Sequence, residues 1–177
     1  RGSKTQLYEG GIRSPLIVWA PRLMAKAKVG ARDDASVFAG MDLAPSLAAL
    51  AKARPAAGPA LDGEDLSAAL LGQAEGRHST PLCWSRPPDR KTWPPALPDP
   101  APDLAIRDGD WKLLCEYDGS RPQLYDLKRD PGETKDLAQA EPATVERLTK
   151  AVLAWHRSMP PDNGPALGVS AAQVPKK

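Results

Sequence analysis

The residue best placed for chemistry on an anion stands close to the first position. Lys4 is followed by Thr5-Gln6-Leu7-Tyr8-Glu9-Gly10-Gly11-Ile12-Arg13-Ser14-Pro15. A lysine ammonium is a compact point charge that suits an oxyanion. Gly10 and Gly11 permit either a positive φ or a backbone approach that a Cβ would block. Glu9 and Arg13 flank the glycines, and a charge-assisted pair between them would clamp the turn. Pro15 pushes Ser14 toward extended geometry, and Leu16-Ile17-Val18-Trp19 then runs apolar without polar alternation. Such a run reads as a strand covered on both faces. The expectation is a glycine-hinged corner that presents Lys4 at the mouth of a buried strand.

Other candidates are weaker on the same physical grounds. Asp33 and Asp34 are adjacent carboxylates of the kind that bind calcium or magnesium. Neighbours in an extended chain point to opposite sides, and no third ligand stands nearby, so a metal site is not expected there. Asp62, Glu64 and Asp65 are better explained as turn and helix-start residues than as a calcium set. His78 lies in a polar loop and is an outside candidate for substrate binding. His156 falls near the end of an amphipathic helix and reads as surface or packing.

The string K-T-Q-L-Y-E-G-G-I-R-S-P resembles the second signature of the type I sulfatases, in the alkaline-phosphatase-like superfamily. The resemblance implies that Lys4 contacts the sulfate of the substrate, with Glu9, Gly10, Gly11 and Arg13 as the structural part of the motif. Further strings are similar to the same family: D-L-A-P-S-L at Asp42–Leu47, L-D-G-E-D-L at Leu61–Leu66, and A-I-R-D-G-D-W-K-L-L with Q-L-Y-D-L-K-R-D-P-G-E-T-K-D-L-A after Ala105. Cys83-Trp84-Ser85-Arg86 is one residue short of the family's nucleophile motif and follows the Lys motif instead of preceding it. Cys83 is therefore not expected to be the residue that becomes formylglycine. In the family the nucleophile and the metal carboxylates come before the Lys motif. The resemblance thus implies the C-terminal part of a sulfuric ester hydrolase acting on aryl or carbohydrate sulfates. Its Ca2+ ligands are expected upstream, no metal ligands are expected in the chain itself, and the chain alone is expected to be inactive. A phosphoester hydrolase of the same superfamily and a non-catalytic substrate-binding module are the alternatives. The implied partner is a sulfated small molecule or carbohydrate, and the family habit implies a periplasmic or secreted location.

The elements that must hold these residues follow from pattern. The chain has 177 residues, 41% of them hydrophobic and 26% charged, values ordinary for a globular protein. A net charge of +2 gives no ground for a nucleic-acid partner, and no apolar run is long enough for a membrane span. The fold class that the resemblance implies is α/β: the end of a main sheet, then a small four-stranded antiparallel subdomain packed by a C-terminal helix. Helices are expected at Asp42–Lys52, capped by Asp42 with Leu43, Leu47 and Leu50 on its apolar side, and at Asp65–Leu71, ended by Gly72. Strands are expected near Cys83, at Asp103–Arg107, Asp110–Tyr117 and Gln123–Leu127, the middle pair joined by a type I′ turn at Asp108-Gly109. Val145, Leu148, Val152 and Trp155 mark the inward face of a helix over Glu141–Ser158. Cys83 and Cys115 read as buried free thiols, with a single bridge between them the lesser option. The resemblance implies domain bounds of 1–75 for the end of the catalytic domain and 76–160 for the subdomain, with 161–177 a tail. Seven prolines between Arg86 and Pro102 mark a long loop.

Overall fold

The computed structural model describes residues 1–53, 58, 60–86 and 101–160. Among them are the helical stretches α1 (Glu9–Ile12), α2 (Leu43–Leu50), α3 (Ser67–Leu70) and α4 (Pro142–Ser158). The strands are β1 (Leu82–Ser85), β2 (Leu104–Asp108), β3 (Trp111–Cys115) and β4 (Gln123–Asp126). The Pro-rich loop and the tail expected from the sequence lie outside the described residues. The chain divides into two compact units, Arg1–Ser14 with Pro81–Lys177, and Pro15–Thr80. The first fourteen residues cluster with the later part of the chain.

The first unit is built on an antiparallel meander in the order β1-β2-β3-β4. Its hairpin between β2 and β3 is tight because Asp108 pairs with Trp111 across only two residues. Gly109 takes φ of 59° there, while Asp110 keeps a negative φ. The turn is thus centred one residue later than expected and is not type I′, which needs positive φ at both central positions. Gly119, at the next turn, has φ of 83°, a region where glycine carries no Cβ penalty.

Successive strand residues face opposite sides, and both sides of this sheet are covered. On one side Leu104, Ile106, Leu113, Cys115 and Leu124 bury against Leu148 and Val152 of α4, with Val145 and Trp155 packed around them. That is the amphipathic helix on a sheet that the periodicity implied. On the other side Ala105, Leu114 and Tyr125 bury with Leu7 and Tyr8, and Ile12 and Trp84 pack at the margin. The cover for this second face comes from the Lys4 segment, about a hundred positions away along the chain.

In the second unit α2 starts and ends close to where capping signals placed it, yet its packing differs. Leu43 and Leu47 are exposed, and the buried residue of the helix is Ser46. The side chain of Asp42 does not cap its own helix. After α3, Gly72 at φ 66° closes the helix with Gly72 N–H to Ala69 O and Gln73 N–H to Ala68 O, the paired bonds of a Schellman motif. Leu16–Trp19 forms no ladder; Ile17 and Trp19 are 89% and 85% exposed. An apolar run becomes a strand only when a neighbouring strand takes its N–H and C=O groups, and no described residue does so here.

Candidate functional site

The Lys4 segment is a compact corner. Gln6 N–H donates to Ser3 O at 3.0 Å, Gly10 N–H to Arg1 O at 2.8 Å, and Gly11 N–H to Tyr8 O at 2.8 Å. The Ser3 N–H returns to Gln6 Oε1 at 2.8 Å. Both glycines are required by close approach. A Cβ on Gly10 would lie 2.5 Å from Gly2 O, and one on Gly11 only 2.1 Å from Gln6 O. Thr5 sits at φ 79°, where a β-branched residue is rarely found. Strain of this kind costs about 1–3 kcal/mol and persists only where the surroundings over-determine the backbone. Lys4, directly before it, is exposed, whereas Gln6, Leu7, Tyr8 and Glu9 are buried. The corner thus buries one flank and shows its lysine to solvent.

What over-determines it is a buried ionic group. Lys112 on β3 is fully buried, on the same side of the sheet as Leu114. Its Nζ lies 2.8 Å from Glu9 Oε1 and 2.9 Å from Glu133 Oε1. Glu133 Oε2 accepts the Glu9 backbone N–H at 2.7 Å. Glu9 is therefore committed to Lys112, and the clamp expected between Glu9 and Arg13 does not form; Arg13 is exposed. A second set of polar links lies alongside. Tyr8 Oη and Tyr125 Oη both donate to Gln123 Oε1 at 2.8 Å. Arg1 donates to Tyr125 Oη at 3.1 Å and its guanidinium lies 4.6 Å from the Tyr8 ring centroid. Burial pushes the Tyr125 hydroxyl well above its ordinary value, so it stays a donor.

Sequence reasoning missed Lys112 and Glu133. A signal existed: in Trp111-Lys112-Leu113-Leu114-Cys115 the lysine shares a side with Leu114. A cation on a strand covered on both faces needs a buried counter-charge.

His78 belongs to the second unit and is enclosed. Its ring is 5% exposed; Nε2 lies 2.8 Å from Asp42 Oδ2 and Nδ1 lies 3.5 Å from Glu64 Oε1. Asp42 also accepts Ala39 N–H at 2.7 Å and Glu64 N–H at 3.0 Å. Glu64 takes Ser79 Oγ–H at 2.8 Å, and this bond, with the Ser79 backbone N–H, holds its carboxyl below the usual range. Buried Asp42 is a hub that ties three loop segments together, a role its N-cap signal hid.

The remaining candidates resolve simply. Asp33 accepts the N–H groups of Ala35 and Ser36, and Asp34 pairs with Arg32, so each carboxylate serves its own loop. Among the described residues no three His, Cys, Asp or Glu side chains are grouped to hold a metal ion. The thiols are free. Cys83 lies on β1 and Cys115 on β3, on either side of β2. Two strand spacings of about 4.8 Å put their backbones beyond bridging distance. Burial raises Cys83 to about 11 and Cys115 to about 12, which leaves both protonated and poorly nucleophilic. His156 stacks on Tyr117 with ring centroids 5.0 Å apart, a packing role. No helix among the described residues is long and apolar enough to cross a membrane.

Comparison with known proteins gives these features a family context. No family model matches the chain. Human arylsulfatase A is 31% identical over 179 residues, covering 86% of this chain and 32% of that protein. An N-acetylgalactosamine-6-O-sulfatase of Bacteroides thetaiotaomicron is 30% identical over 154 residues, covering 85% of this chain and 28% of the relative. The chain therefore spans about a third of the length of these curated relatives. A solved Bacteroides thetaiotaomicron structure from glycosaminoglycan metabolism superposes with a TM-score of 0.52 at 23% identity, over 69% of this chain and 25% of that one. At that identity the likeness speaks for the fold alone.

Proposed function

The chain is homologous to the type I sulfatases over most of its length, and we propose that it supplies the lysine corner of a sulfuric ester hydrolase acting on aryl or carbohydrate sulfates. One observation carries the reading: Lys4 is an exposed cation beside strained Thr5, on a corner whose residues Gln6 to Glu9 are buried. A charge fixed in advance at the place where an anion sits needs no reorganisation when charge develops, and such pre-organisation is often the largest catalytic term. In this reading Lys4 Nζ donates to a sulfate oxygen and offsets its charge as the ester bond breaks. The nucleophile and the metal that the family uses are then held by residues other than those described. The metal would polarise the sulfate as a Lewis acid. His78, closed in by Asp42 and Glu64, acts in this reading on the fold of its own unit and not on substrate.

The relatives' names include enzymes of aryl and of carbohydrate sulfates, and the choice of substrate within that class lies outside this reading. Export to the periplasm or exterior is proposed with it. The test is turnover of an aryl sulfate by the complete polypeptide that carries this chain, beside its Lys4→Ala variant and an aryl phosphate competitor. The expected result is sulfate hydrolysis that Lys4→Ala lowers about a hundredfold in kcat/KM at unchanged melting temperature. Equal turnover by the variant would remove Lys4 from the site, and preference for the phosphate would favour a phosphoester hydrolase.

A further inference from the structure

We propose that Lys112 is a positioning residue for Lys4: it sets where the sulfate-binding ammonium stands without touching substrate. The inference rests on the reading of Lys4 given above. Lys112 is fully buried and lies between two carboxylates that arrive from different directions, Glu9 from the corner and Glu133 from the turn after β4. Glu133 is itself fully buried, sits at φ 54°, and holds the Glu9 N–H with its second oxygen. Glu9 is thereby gripped at its side chain and its backbone at once.

The link from Glu9 back to Lys4 is short and has little slack. Gly10 N–H is bonded to Arg1 O and Gln6 N–H to Ser3 O, on either side of Lys4. Gly10 and Gly11 have no room for a Cβ against the carbonyls of the same corner. The strained Thr5 next to Lys4 marks a backbone that does not choose this shape unaided. A movement of Glu9 is therefore passed to Lys4 as a movement of similar size.

Stability alone gives a weak reason for burying three charges. Apolar residues of similar volume are often as stable as a buried ion group or more so. What an ion group adds over an apolar plug is direction. Two carboxylates on one ammonium add to the Tyr8–Gln123 bond and favour one seating of the corner on the sheet, where the apolar contacts of Leu7 and the Tyr8 ring by themselves would allow sliding. Misplacement of a catalytic group by about 1 Å can cost about a hundredfold in rate, so a device of this kind matters most where a charge has to meet a substrate.

The test uses the complete enzyme and four forms: parent, Lys112→Met, Lys4→Ala and the double variant, with Glu9→Gln as a milder probe should Lys112→Met fail to fold. Two readouts are taken, kcat and KM on an aryl sulfate, and amide hydrogen exchange across residues 4–12. Lys112→Met is expected to lower kcat/KM at least about tenfold in the parent and less than about twofold once Lys4 is alanine. Exchange in residues 4–12 is expected to rise at least about tenfold while β2 and β3 amides keep their protection. Multiplying losses in the double variant, or unchanged exchange in the corner, would overturn the proposal. If Lys4→Ala is silent, the sulfate role of Lys4 falls, and positioning is decided by the exchange result alone.

Discussion

Replacing Gly11 by alanine probes the corner most sharply. Its new Cβ would start 2.1 Å from Gln6 O and 2.5 Å from Ser3 O. Real Cβ contacts lie at 3.0 Å or more, so the Gln6 carbonyl has to retreat by about 3.0 − 2.1 = 0.9 Å. Both obstacles are backbone, and no rotamer change relieves them. Ser3 O also accepts the Gln6 N–H, so the retreat opens the turn that carries Lys4. Overpacking costs about 1–3 kcal/mol, and a weakened turn hydrogen bond adds about 0.5–1.5 kcal/mol. The expected loss is about 2–4 kcal/mol. Gly109→Ala is the control: a Cβ there meets nothing within 4 Å, and only its φ of 59° opposes the change. That alone costs about 1–2 kcal/mol. Urea unfolding of the full chain followed by tryptophan fluorescence gives both values, since Trp84 packs against the cluster that contains Leu7 and Tyr8. A Gly11→Ala variant within about 0.5 kcal/mol of the parent, or no worse than Gly109→Ala, would refute the tight corner.

Three further outcomes are expected. His78→Ala leaves buried Asp42 short of one partner and should cost about 1–3 kcal/mol, read as a lower thermal midpoint; an unchanged midpoint would deny Asp42 its role as hub. Asp130 is held below its ordinary value of 3.8, first by the Lys135 N–H and further by Thr134. A depressed carboxyl contributes stability above its unfolded pKa and loses it as pH falls through the folded one. Acid should therefore loosen the turn after β4, and Asp130→Asn should flatten that part of the stability profile; a profile identical to the parent's would contradict this. The two thiols, raised by burial to about 11 and about 12, should react slowly with an aromatic disulfide at neutral pH until the chain is unfolded. Rapid labelling of the folded chain would show that the sheet is open.

The meander and its helix were legible because local signals carry them. Asp-Gly pairs, the spacing of short strands between turns and the Val145–Trp155 face each act over a few residues, and the structure places them within a residue or two. The exceptions each depend on a distant partner. Leu16–Trp19 has the composition of a strand but no ladder among the described residues. Leu43 and Leu47 keep helical spacing yet are exposed, while Ser46 is buried to receive the Leu66 N–H at 2.9 Å. The site divides in the same way. Lys4 and its glycines stand out as a motif, whereas the Lys112 group joins residues separated by 103 and 124 positions, and no local pattern reports a pairing of that span.

The amide of Glu9 offers the most direct check that the Lys4 corner is seated on the sheet by Lys112 and Glu133. It is bonded to a buried carboxylate at 2.7 Å, in a stretch that would otherwise exchange as a loop. Hydrogen exchange resolved at that residue should show protection matching the β3 and β4 amides, lost together with theirs on unfolding. Exchange at the rate of an open loop, with β3 and β4 still protected, would mean that the corner is not held there.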